Sequence, residues 1–177
     1  LKEAYVEALS RDTDGVPDIE RDGYERTRVC VALALKAIGE DVLETLADSG
    51  DIMEKELFAM IQFLSSMGVV DPAQQVRTAM LDAGKKLIDK SGARYVDQLM
   101  AFFEKELKRS PCKDESIDVH DDRHEALVVL LGTAGKYIAK DDFNRKVNVL
   151  NVMVEELKTP SAAVQENAAD CLVPLVQ

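Results

Sequence analysis

The sequence predicts an all-α fold: a solenoid of about four antiparallel helix pairs in a right-handed superhelical stack. Three observations predict it. Apolar residues recur at helical spacing, several segments are too long for buried strands and lack strict alternation, and one stretch repeats another at a fixed offset. In that repeat "DPAQQVRTAMLDAGKKLI" from Asp71 overlies "TPSAAVQENAADCLVPLV" from Thr159, 88 residues later. Pro72 falls on Pro160, Val76 on Val164, Ala83 on Cys171 and Leu87 on Leu175. An offset of that size holds two units of about 44 residues, the length of a two-helix repeat.

The elements follow in chain order. "LKEAYVEAL" opens as a striped first helix, and "ERTRVCVALALKAI" supplies its partner. From Glu54 to Ser66 the set Leu57, Met60, Ile61 and Leu64 marks one face of the next helix, which "QQVRTAMLDAGKKLI" follows. Val96, Leu99, Phe103 and Leu107 repeat the stripe ahead of "RHEALVVLLGTAGKYI". Val147, Leu150, Val154 and Leu157 do so once more ahead of "AAVQENAADCLVPLV". The units expected are residues 1–40, 51–91, 93–140 and 143–177.

The repeat frame also aligns polar residues. In each second-helix segment one polar residue stands six before another: Asp22 and Arg28, Asp71 and Arg77, Asp118 and His124, Thr159 and Gln165. An aspartate in the turn before a helix accepts the free N–H groups of the first turn. In a stacked array it can also face the base of its own or the next unit, which predicts a polar ladder. Where the acid becomes Thr159 the base becomes Gln165, so both charges vanish together.

"HDDRH", His120 to His124, invites a second reading, because histidines four apart share a helix face as in zinc proteases. The repeat register places His124 without a metal and sets His120 in the loop before the helix. Asp121 stands where that chemistry needs a glutamate, and a third ligand is not obvious. "LLGTAGKY" misses a phosphate loop twice, at Leu130 and at Tyr137, which leaves close helix packing. Cys30 and Cys171 are expected as buried small hydrophobes and Cys112 as an exposed loop thiol. No catalytic constellation, cofactor site or metal site is expected, and the chain is read as no enzyme.

At 177 residues, 46% hydrophobic and 31% charged, the chain has material for a core. A net charge of -11 excludes broad phosphate-driven binding to DNA. Basic contact must be local, and Lys85, Lys86, Lys90 and Arg94, continued by Lys136 and Lys140, form the densest patch. It is the candidate contact for RNA or an acidic protein, against a solvated face interleaved with Asp82 and Asp89. Two swollen, acidic connections, Ser10 to Asp22 and Ser110 to Asp121, are candidate binding edges or plain solvated loops. An odd cysteine count without a signal peptide points to the cytoplasm, and no apolar run approaches the length of a membrane span. Both ends lack a polar capping unit, as an internal slice of a longer array would.

"ALVVLLGTAGKYIAKDD" followed by "TPSAAVQENAADCLVPLV", with "DPAQQVRTAMLDAGKKLI" upstream, resembles the general-control translational activator family. The similarity runs from about Gly23 to the end, and Phe143 departs from it where the family usually has proline. The resemblance implies a large HEAT-repeat protein that binds translating and stalled ribosomes with an ATP-binding-cassette partner. It implies a relay to the kinase of initiation factor two, with the kinase docked elsewhere in the parent chain. A HEAT scaffold or transport adaptor of another kind, and a metal-dependent enzyme at His120 and His124, are the competing readings.

Overall fold

The computed structural model describes residues 1–12, 15–39, 50–111, 116–158 and 162–175. Among these lie seven α-helices, one 3-10 turn and no strand. The helices are α1 (Lys2–Arg11), α2 (Asp18–Ala37), α3 (Gly50–Ser66), α4 (Gln74–Leu107), α5 (Ile117–Gly135), α6 (Phe143–Glu156) and α7 (Ala162–Leu175). The 3-10 turn, Gly68–Val70, joins α3 to α4. The chain divides into two compact units, Leu1–Leu87 and Ile88–Gln177.

In the first unit each helix turns its apolar stripe inward. Tyr5 and Ala8 of α1, Val31, Ala32 and Leu35 of α2, Leu57, Ile61 and Leu64 of α3, and Val76, Met80, Ala83 and Leu87 of α4 are all buried. These sets recur at three and four residues, so the helical period alone brings them to one side. The Tyr5 and Phe63 rings meet edge to face at 5.2 Å, the favoured arrangement of two aromatic quadrupoles. Gly68 lets the 3-10 turn approach α4, since a Cβ there would stand 2.8 Å from Met80 Cγ. Before α2, Gly15 takes φ 94° and Pro17 occupies the N-cap position, a left-handed turn and a fixed φ that suit a helix entry.

The swollen connections are shorter than the composition suggests. Helix α1 runs on to Arg11 and α2 begins at Asp18; helix α5 begins at Ile117, where Ser116 Oγ accepts Val119 N–H. Acidic residues placed in loops by their composition, Asp18, Glu20 and Asp118, instead fill first turns. There the helix dipole favours negative charge. Cys112 lies outside the described residues.

Helix α4 carries two of the expected helices on one backbone. Only Tyr95, at φ −121° and ψ 20°, leaves helical geometry. The break comes just past Ser91 and Gly92, a small-residue pair of the kind that permits a kink without proline.

In the second unit α5 packs against α6 and α7. Every residue from Ala126 to Gly135 is buried, which explains a valine and leucine run with no polar face. A Cβ on Gly132 would overlap Cys171 Sγ and Cβ of α7. Gly92 is similarly close to the Tyr137 ring, and Tyr137 Oη donates to Asp89 Oδ1 at 3.1 Å.

Two expectations about the core are corrected. On α6 the buried residues are Val149 and Met153, while Val147 is 51% and Val154 is 45% exposed. Two apolar stripes compete on that helix, and the one holding the larger methionine faces inward. Cys30 is exposed and Cys171 only partly covered, because the inner face of α2 is taken by Arg28, Val31, Ala32 and Leu35.

Candidate functional site

The strongest cluster of charge is buried. Asp71, in the turn before α4, accepts Ala73 N–H at 2.9 Å, Arg28 Nε–H at 2.8 Å and the Tyr5 hydroxyl at 2.6 Å. Arg28 Nη2 reaches Asp71 Oδ1 at 3.3 Å and Asp12 Oδ2 at 2.8 Å, and Arg21 Nε stands 3.5 Å from Asp12. The Arg28 and Asp71 side chains are wholly removed from solvent. Three donor residues on one carboxylate, one of them the charged Arg28 guanidinium, offset the cost of burying that charge. Burial, with the bond to Asp71, pushes the Tyr5 hydroxyl far up, so it stays a donor. Burial works against the Arg28 charge, and Asp12 and Asp71 outweigh it, leaving the guanidinium held above its ordinary value.

The predicted ladder residues are therefore placed unevenly. Arg28 of one helix pair meets Asp71 of the next. Arg77 does not reach that carboxylate; its Nη1 donates to the Asp71 carbonyl at 2.7 Å and to the Pro72 carbonyl at 3.1 Å. Asp22 and Asp118 are exposed and lie inside α2 and the first turn of α5, not in turns before them. Their place as acid partners is taken by Asp12 and by Glu156, each at or just past the end of a first helix. The repeat register does not single out Tyr5, Asp12 or Glu156; Asp12 and Glu156 stand at the ends of α1 and α6, while α3 ends at Ser66 without an acid.

His124 Nε2 contacts Glu156 Oε2 at 2.8 Å. That hydrogen bond, opposed by burial and aided by the charges of Glu156 and Asp121, raises the His124 pKa. His120 proves to be helical, one turn before His124, with ring centroids 6.1 Å apart. The expected loop position for His120 is thus corrected, since the Ser116 cap starts the helix before it. Among the described residues no three His, Cys, Asp or Glu side chains converge as metal ligands. The space beside His120, Arg123 and His124 is about 10 Å³, scarcely enough for one water.

The basic residues are at the surface. Lys90, Arg94, Lys136 and Lys140 are exposed, and Lys85 and Lys86 are half-buried. Arg94 lies 5.3 Å from the Tyr95 ring centroid. Tyr137 seats the turn after α5 on α4 between Asp89 and Gly92, so the segments bearing Lys136 and Lys140 and those bearing Lys90 and Arg94 adjoin. Arg145 pairs with Asp97.

Antiparallel helix pairs joined by a buried Asp–Arg rung, with no strand among the described residues, define an all-α HEAT-repeat protein. A family model described as "Stalled ribosome sensor GCN1, HEAT repeats" matches residues 1–136. The chain belongs to that family. It is 36% identical over 146 residues, 82% of its length, to "Protein ILITYHIA" of Arabidopsis thaliana, of which this covers 5%. It is 33% identical over 183 residues, 99% of its length, to "Stalled ribosome sensor GCN1" of Homo sapiens, covering 6% of that protein. To "eIF-2-alpha kinase activator GCN1" of Saccharomyces cerevisiae it is 28% identical over 135 residues, 76% of this chain and 5% of the relative. No solved structure matches. The family match begins at residue 1, so the resemblance is not confined to residues after Gly23, and the chain spans about a twentieth of its relatives.

Proposed function

We propose that the chain is a non-enzymatic scaffold segment of a cytoplasmic translational activator that binds stalled or translating ribosomes and promotes activation of the kinase of initiation factor two alpha. The observation that carries this reading is the family match over residues 1–136, together with relatives named as a stalled ribosome sensor and as an eIF-2-alpha kinase activator. Its units are residues 1–40, 51–91, 93–140 and 143–177, and their work is to hold surfaces at fixed spacing. Lys85, Lys86, Lys90, Arg94, Lys136 and Lys140 are the local phosphate contacts on an acidic chain, and an ATP-binding-cassette protein is the further partner. Lysine and arginine contacts to phosphate release counterions, so binding through them weakens as salt rises.

The test is co-sedimentation of the chain with idle and with stalled ribosomes at about 0.05 and about 0.2 M salt. Salt-sensitive pelleting that Lys85→Glu, Lys86→Glu and Lys90→Glu together abolish is the result expected. Absence of pelleting by a helical, folded chain overturns ribosome contact by this segment.

A further inference from the structure

Helix α2 and the first turns of α4 flank an open groove of about 440 Å³. The two helices run parallel. Arg28 meets Asp71 at the start of α4, and Gly39 backs onto Leu87 further along. The floor is apolar: Leu33, 54% exposed despite its size, and Ala79. Around it stand Lys36, Gln74, Gln75, Thr78 and Asp82. None of these five side chains has a hydrogen-bond or ion-pair partner among the described residues. Lys36 and Asp82 lie on opposite walls of one groove and still do not pair.

The spacing of those groups selects an occupant. Gln74, Thr78 and Asp82 follow one another at four residues, which at helical rise puts successive groups about 6 Å apart. An extended peptide presents equivalent groups every second residue, about 6.6 Å apart. A glutamine amide both donates and accepts, and a hydroxyl does the same, so this row can meet the alternating N–H and C=O of a main chain. A helix has already satisfied those groups internally. Leu33 and Ala79 then receive a side chain that points inward. At the far end Asp82 lacks a cation, on a chain whose net charge of -11 favours basic partners. Lys36, on the facing wall, can donate to a main-chain carbonyl.

We propose that this groove docks an extended segment of a protein partner, with an apolar side chain against Leu33 and Ala79 and a basic side chain two positions on against Asp82. This goes beyond the ribosome reading, because the groove residues are not those of the lysine patch.

The probe is a phage-displayed library of random twelve-residue peptides selected on the chain, with the enriched sequences resynthesised and titrated by fluorescence polarisation. The expected result is an apolar-x-basic pattern whose binding weakens at least tenfold with Leu33→Asp, with Asp82→Lys and with Gln74→Ala plus Gln75→Ala, and is unchanged by Lys105→Ala. Leu33 and Asp82 are exposed, so circular dichroism should show each variant folded; Thr78→Lys, at another exposed position, blocks the groove independently. No enriched sequence, binding indifferent to these changes, or enriched peptides that bind as helices would each overturn the proposal.

Discussion

Arg28 and Asp71, 43 residues apart, bring full opposite charges together at 2.8 Å where neither touches solvent. Among the described residues, the pair is the link in its network that ties one helix pair of the first unit to the next through two formal charges. Its energetic character is asymmetric: removing one partner strands the other in the core.

Asp71→Ala is accordingly expected to destabilise the first unit by about 3 to 5 kcal/mol. Urea unfolding followed by circular dichroism measures it. Pairing Asp71→Ala with Arg28→Met should recover much of the loss, because no buried charge then remains. Equal damage in the single and double variants would show that the carboxylate acts through its bond to Ala73 and the helix start.

Tyr5→Phe removes the donor with the shortest bond to Asp71 while keeping the ring against Phe63. The cost should be about 1 to 2 kcal/mol, that of one hydrogen bond to a charged acceptor. A urea midpoint equal to wild type would show that the hydroxyl, which also lies 3.1 Å from the Met67 carbonyl, adds no net stability to the network.

Gly132→Ala should destabilise the second unit by about 1 to 3 kcal/mol, the usual cost of overpacking, since its new methyl meets Cys171 of α7. Alanine is otherwise the better helix former, so a gain in stability would mean that α7 moves aside freely.

The His124–Glu156 contact carries a pH signature. Because the folded pKa of His124 is raised above its unfolded value near 6.5, the stabilisation is complete below about pH 6.5. It is lost as pH rises through the folded value. With His124 25% and Glu156 12% exposed, the pair is only partly screened and the effect should be about 1 kcal/mol. Thermal melts at pH 6 and 8 should separate less in His124→Gln or Glu156→Gln than in wild type, and an unchanged separation would assign the pH dependence to other groups.

Zinc should find no stoichiometric site. Glu156 already engages His124, and the two histidines gather no third ligand among the described residues. Isothermal titration with zinc, on wild type and on His120→Ala plus His124→Ala, should give the same weak heats. Tight binding lost in the double variant would reopen the enzyme reading.

Much of this was legible in the sequence because helical periodicity is a local property. The stripes of α3 and the later part of α4 identify residues that are in fact inward, Leu57, Ile61, Leu64, Leu99 and Phe103. On α6 two apolar stripes satisfy the same period, and packing against α5 and α7 chooses Val149 and Met153. The buried rung was half legible: the repeat register names Arg28 and Asp71. It also names Asp22 and Asp118, whose positions are set by where α2 and α5 begin. Asp118 stands two residues past its cap, Ser116, and Asp22 five past Pro17, shifts that carry each side chain from turn to exposed helix. Asp12 and Glu156 act across first-to-second-helix contacts, which no spacing within one segment encodes. Cys30 looked like core because it stands among valines, yet the turn of the helix carries it outward.

Helix α5 has a consequence for the order in which the protein is made. From Ala126 to Gly135 it is buried all round, and Gly132 gains its cover only when Cys171, 39 residues later, has been synthesised. A nascent chain paused between α5 and α7 therefore leaves one apolar side of α5 without its cover. The second unit is in that sense a late closer: α7 acts as the latch over Gly132, and until the latch arrives a growing chain offers that side of α5 to holding factors.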